Sequence, residues 1–207
     1  MNSTNVARPR TATFATLLLT GALTLTTVVS PVAAESRSYA IDPDHFSVGF
    51  LVHHIGYAKT LGMFRKAEGE FTFDEATGVL GPVRISIEAA SVFTNHRKRD
   101  EHLKSADFLN ASEFPTLVFT AAGATAVANK RFRIDGELEL LGVREPVTLE
   151  ATWNKSGEYP FGGNPYVMGV SARGSFKRSA FGMNYAVDNG WVGDEVELIL
   201  EFEARRR

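Results

Sequence analysis

The chain has 207 residues, 44% apolar and 22% charged, which fits one globular domain and excludes collagen-like or low-complexity polymers. Its net charge of −2 gives no electrostatic footprint for nucleic acid. The chain has no cysteine, which excludes disulfides, thiolate metal sites and cysteine nucleophiles together.

Residues 1–34 differ from the rest. Arg8 and Arg10 are the only charged side chains before Glu35, an apolar, threonine-rich stretch fills residues 14–29, and Pro31-Val32-Ala33-Ala34 follows. This order is that of a secretory signal peptide, with cleavage expected after Ala34. An uncleaved anchor is the other reading, but the stretch is short of the ~20 apolar residues that a spanning helix needs. Arg8-Pro9-Arg10 is not a twin-arginine pair, so the general secretory route is expected. The expected mature protein is residues 35–207, periplasmic, with no stable membrane span.

From there, alternation at period two dominates. Phe46, Val48, Phe50 and Val52 share one face, and a second strand runs from about Met63 to Phe73. Asp74 to Gly78 supplies turn residues. Val83, Ile85, Ile87 and Ala89 alternate with polar residues, and residues 115–126 carry Leu117 and Phe119 on a further strand. After a hairpin at Asn129-Lys130 come Phe132, Ile134, Gly136, Leu138 and Leu140, then Val147, Leu149, Ala151 and Trp153, then Met168, Val170 and Ala172. Val196, Leu198, Leu200 and Phe202 form the last strand.

Residues 95–108 break the rhythm. They are dense in charge and read as a short helix with Thr94 or Asn95 as N-cap. About eight alternating strands and one crossing helix predict an all-β, antiparallel eight-stranded barrel with the helix near a barrel end. Such a barrel either fills its interior with side chains or holds one small ligand. The inward set is rich in Phe, Val, Ile and Leu, so a cavity would suit an acyl or isoprenyl chain. The expected ligand-facing residues are Phe50, Val52, Phe71, Ile87, Phe119, Ile134, Leu138, Trp153, Met168 and Phe181. Plain core packing explains the same residues, since a buried Phe contributes about 2–3 kcal/mol by itself.

Several segments resemble one family. They include Ile41-Asp42-Pro43-Asp44-His45-Phe46-Ser47-Val48-Gly49-Phe50, His53-His54-Ile55-Gly56-Tyr57 and Glu68-Gly69-Glu70-Phe71-Thr72-Phe73-Asp74. The most specific block is Ser91-Val92-Phe93-Thr94-Asn95-His96 followed by residues 99–110; Phe114-Pro115-Thr116 and Gly142-Val143-Arg144-Glu145-Pro146 continue it. Together they resemble the YceI-like family of exported bacterial proteins, from about Tyr39 to Phe202. The resemblance implies a lipocalin-like barrel that binds a polyisoprenoid or related amphiphilic lipid, hints at a homodimer and implies no catalytic residue or cofactor. Two residues depart from the family pattern. Phe93 stands where a polar residue is more common, and Leu141 where the turn before Gly142 is usually polar.

His96, Asp100 and His102 invite a metal, redox or enzymatic reading, in which His45, His53 and His54 could join them in space. The other reading is structural, with Arg99, Asp100 and His102 locking the helix onto the barrel end and Arg99 and Asp100 each finding a separate partner. No serine lies in a Gly-x-Ser-x-Gly elbow, and Glu137 and Glu139 fall on an outward strand face, so hydrolysis has little support. Residues 159–165, Tyr-Pro-Phe-Gly-Gly-Asn-Pro, are either a flap at the barrel mouth carrying Phe161 or an ordinary hairpin connection.

Overall fold

The computed structural model describes Met1 and residues 35–207; the expected signal peptide lies outside the described residues. Eleven strands form one antiparallel sheet: β1 (Arg37–His54), β2 (Ala58–Phe64), β3 (Ala67–Asp74), β4 (Val79–Glu88), β5 (Val92–Phe93), β6 (Thr116–Ala121), β7 (Ala124–Ala128), β8 (Arg131–Leu140), β9 (Val143–Glu158), β10 (Tyr166–Lys177) and β11 (Val192–Arg206). The helix α1 (Arg97–Lys104) lies between β5 and β6.

Eleven strands make a ring of eight positions. β1 pairs with β3 through Arg37–Ala40 and with β2 through Val48–His54, so β2 and β3 lie in line. β4 and β5 share the next position, since β4 pairs with β3 and β5 with β2. β6 and β7 share the position after that, the fourth counted from β1, both between β4 and β8. β8, β9, β10 and β11 follow in chain order, and β11 pairs back onto β1 from Tyr39↔Arg206 to His54↔Val192. Each position neighbours the next in sequence, which is an up-and-down barrel. Closure leaves no long unpaired edge among the described residues.

The expected strand over residues 115–126 is broken because Gly123 adopts φ +145°, and a Cβ there would lie 2.3 Å from the Leu80 carbonyl oxygen. Two other glycines accept aromatic lids: Gly62 lies beneath the Phe50 ring and Gly136 beneath Phe119, at distances that leave no room for a Cβ. The expected helix over residues 95–108 is shorter. It ends at Lys104, and backbone turns carry the chain through Phe114. Its N-cap is His96, whose Nδ1 accepts from the Arg99 N–H at 3.2 Å, in place of Thr94 or Asn95. Leu141 and Gly142 form the β8–β9 turn, both at positive φ (55° and 72°). That backbone explains why a polar residue or glycine is the usual choice there. The described residues contain no helix long and apolar enough to cross a membrane.

Candidate functional site

Alternating strand direction puts the β1–β2 turn, α1 and the segment before β11 at one end of the ring, called the upper end. The β3–β4 turn, the β7–β8 turn and the β9–β10 loop lie at the other. Beneath the upper end is a cavity of about 380 Å³. That volume falls within the range of small-molecule sites. A second void of about 60 Å³ lies toward the lower end. Phe119, Leu149 and Leu200 line both, so these three side chains form a waist across the barrel.

The inward phase of the strands supplies the walls. Phe50, Val52, Ile87, Phe119 and Leu138 line the upper chamber, and Phe71, Phe119, Ile134, Trp153 and Met168 line the lower void. Phe181 lines neither. It belongs to a 3-10 turn (Arg178–Phe181) after β10, outside the strand alternation, and packs edge-on against Phe176 at 5.3 Å with 1% of its surface exposed. The sequence reading missed the mouth: His53, His54, Ile55, Thr60, Tyr185 and Trp191 line the upper chamber from loops and strand ends. Ile55 and Trp191 stay exposed there and are joined by the Ile55 N–H donating to the Trp191 carbonyl at 2.9 Å. Ile55, Tyr185 and Trp191 are loop residues without periodicity, so alternation does not place them at the chamber; His53 and His54 stand out only in the family resemblance and as possible metal ligands.

Arg99 and Asp100 do not take separate partners. They converge on Thr94, which is buried just before α1. The Thr94 N–H and hydroxyl donate to Asp100 Oδ1 at 2.7 and 2.5 Å. Arg99 Nε donates to Thr94 Oγ1 and its Nη2 to the Thr94 carbonyl, both at 2.7 Å. His102 stands apart from this set, with its Nε2 2.8 Å from Asp107 Oδ2 and its ring edge-on to Phe108 and Tyr185. The His96 ring is occupied as the helix cap. Among the described residues no three His, Asp or Glu side chains are grouped to hold a metal ion.

Arg178, which the sequence reading also missed, lines the upper chamber and is 2% exposed. Its Nε, Nη1 and Nη2 donate to the carbonyls of Gly193, Met183, Tyr185 and Val192 at 2.8–2.9 Å. These bonds stitch the segment before β11 over the chamber.

The lower end is latched by Glu75, which accepts from the hydroxyls of Tyr39, Ser156 and Tyr166 at 2.6–2.9 Å. Burial alone would raise the Glu75 carboxyl, but the three hydroxyl donors outweigh it and hold the pKa below the usual range. Burial, then the bond and charge of Glu75, push the Tyr39 phenol far above its ordinary value. Residues 159–165 also lie at this end. Phe161 rests edge-on against Tyr159 and lines neither cavity, so it is no flap over the upper chamber.

The ring and its contents define a closed antiparallel barrel with an apolar chamber at one end. The YceI-like domain matches residues 39–204. The chain therefore belongs to the YceI family. It is 40% identical over 193 residues to Protein YceI of Salmonella agona, covering 92% of this chain and 93% of that one. It is similar in structure to the YceI protein of Campylobacter jejuni, at 26% identity and TM-score 0.68 over 75% of this chain and 90% of that one. Burkholderia cenocepacia BcnA shares the fold at 21% identity and TM-score 0.68, over 79% and 98% of the two chains. A polyisoprenoid binding domain from Saccharophagus degradans shares it at 12% identity and TM-score 0.62, over 83% and 99%.

Proposed function

We propose that this protein is a non-enzymatic carrier that holds the tail of a long-chain amphiphile, a polyisoprenoid or related lipid, in the upper chamber. The observation that carries the reading is the apolar chamber of about 380 Å³, ringed by exposed residues at its mouth. A packed structural barrel would have no such space. Each CH₂ moved from water contributes about 0.8 kcal/mol, and association costs about 4–15 kcal/mol, so tight binding needs a tail of roughly ten carbons or more. A tail longer than the upper chamber would have to pass the Phe119 waist. The polyisoprenoid named for the Saccharophagus degradans domain suits such a space.

The proposal includes export through the signal peptide, cleavage after Ala34 and a periplasmic location. It also includes the homodimer that the family resemblance suggested, which sedimentation velocity tests directly. A metal or redox role for His96 and His102 draws no support from the geometry, because the two rings serve different partners.

Leu138→Trp tests the carrier reading. Leu138 is 6% exposed and lines the upper chamber, so an indole there fills the space that a tail would take. The variant should fold and lose most of the lipid that co-purifies with wild type, as read by mass spectrometry. Folded variant with undiminished lipid contradicts the proposal.

A further inference from the structure

Exposed apolar side chains gather at the rim of the upper end. Tyr57 is 91% exposed, Trp191 60% and Ile55 49%. Ile55 and Tyr57 stand on the β1–β2 turn, and Trp191 and the half-exposed Tyr185 on the segment before β11. The backbone bond from Ile55 to Trp191 joins the two segments. Ile55, Tyr185 and Trp191 also line the chamber, so the apolar surface continues from its interior onto the outside of the protein. The lower end differs: Val79, Val127 and Phe161 are exposed there but line neither cavity.

Local structure does not account for Ile55. Its φ is +51° and that of Gly56 is +74°, the geometry of a two-residue hairpin turn that Asn-Gly or Asp-Gly fits best. A β-branched side chain is strained in that region, and this one is left half in solvent. Strain kept at such a place points to a use for the side chain.

Charge at this end favours one kind of partner. α1 supplies Arg99 and His102 to the chamber wall and exposes Arg97 and Lys98 beside them. Among the described residues Arg97 and Lys98 pair with no carboxylate. The Asp100 carboxylate is turned inward to Thr94, and Glu101 is met by Lys104. Asp188 is the exposed acidic side chain on the segment between Phe181 and Val192. A bilayer complements each part of this surface. Trp and Tyr rings favour the layer between head groups and acyl chains, an exposed Ile enters its apolar edge, and basic side chains are drawn to anionic lipid.

We propose that this rim docks the barrel, mouth first, onto a membrane surface that carries anionic lipid, so that a tail passes between bilayer and chamber without crossing water. This rests on the carrier reading and adds the partner to it. Each CH₂ exposed to water disfavours a tail about fourfold, so a tail of roughly ten carbons is disfavoured about a millionfold in free solution. Docking the mouth against the acyl layer removes most of that barrier. A protein seated on the same rim would cover the entrance that the tail needs.

Flotation with vesicles tests it, using phosphatidylcholine alone and phosphatidylcholine mixed equally with phosphatidylglycerol. Wild type should bind the mixed vesicles at least about tenfold more tightly than the neutral ones, the factor that two basic side chains supply. Brominated acyl chains should quench Trp191; in Trp191→Phe the remaining Trp153, which lines the lower void, should escape quenching. Tyr57→Ser and the double variant Arg97→Gln/Lys98→Gln should each weaken binding to the mixed vesicles about tenfold. Phe161→Ser, at the lower end, should leave it unchanged. Tyr57, Arg97 and Lys98 lie off the chamber wall, so their variants should bind monomeric dodecanol as wild type does in calorimetric titration. Wild type that binds dodecanol but floats with neither vesicle overturns the docking and leaves the carrier reading standing. Flotation weakened as much by Phe161→Ser as by Tyr57→Ser also overturns it. So does a wild-type dimer that floats with neither vesicle and that Tyr57→Ser splits in sedimentation velocity, because the rim is then the face for a second copy. Protein that binds no dodecanol overturns the carrier reading, and the transfer role falls with it.

Discussion

Removing the Asp100 carboxylate tests whether the most family-specific segment is structural. Asp100 is 8% exposed and Thr94 5%, so Asp100→Ala leaves the Thr94 N–H buried with no acceptor. An unsatisfied buried donor costs about 1–3 kcal/mol. The Thr94 hydroxyl loses its acceptor too, though it still receives the Arg99 Nε proton. A carboxylate in the first turn of α1 also favours the helix dipole by about 0.3–1 kcal/mol. The sum is roughly 2–4 kcal/mol, or a fall in melting temperature of about 5–15 °C for a domain of this size. Asp100→Asn keeps an acceptor of the same shape and should cost about 1 kcal/mol. His96→Ala, which removes the ring that caps α1, should cost about 1 kcal/mol. His102→Ala breaks a half-exposed pair with Asp107 and should cost less. Thermal unfolding by circular dichroism, with and without chelator, ranks the four variants. A metal role would reverse the order, make both His variants the severe ones and make wild type sensitive to chelator. An Asp100→Ala protein that melts within a degree of wild type would refute the reasoning.

Phe119→Ala should merge the two chambers and shift the co-purified or offered lipid toward longer tails, at about 3–5 kcal/mol of stability, measured by lipid mass spectrometry and urea unfolding. Gly136→Ala puts a Cβ 2.3 Å from the Phe119 ring and should cost about 1–3 kcal/mol while altering tail-length preference. Glu75 has its carboxyl pKa lowered in the folded state, so its contribution is present above the unfolded value near 4.3 and is lost as pH falls through the folded value. Glu75→Gln should therefore lower stability at neutral pH by about 2 kcal/mol and flatten the decline on the acid side, read as unfolding free energy from pH 7 to 3. Protein recovered from the cell envelope should begin at or near Glu35, which N-terminal sequencing decides; a start at Met1 in the membrane fraction would make it an anchored protein.

Strand alternation made the barrel legible because each inward residue must alternate with an outward one. Phe50, Phe119 and Leu138 face the interior for that reason, and Glu137 and Glu139 face outward, where Arg144 pairs with them. Phe181 escaped the rule because a 3-10 turn has no period-two face. Arg178 was illegible for another reason: in sequence it follows Lys177 and looks like any surface cation, and only the fold surrounds it with carbonyls. The shared partner of Arg99 and Asp100 was hidden because Thr94 reaches both from the turn before α1, where no helical spacing applies. The division into two chambers follows from where large rings meet across the barrel, and pairwise strand patterns do not encode that.

The most direct test of the carrier account is mass spectrometry of an organic extract from protein purified natively from its own cells. The account predicts one dominant amphiphile with a long apolar tail, close to one per barrel, absent from the extract of Leu138→Trp. Wild-type protein that yields no lipid, and takes up none when a long-chain amphiphile is offered, would contradict it.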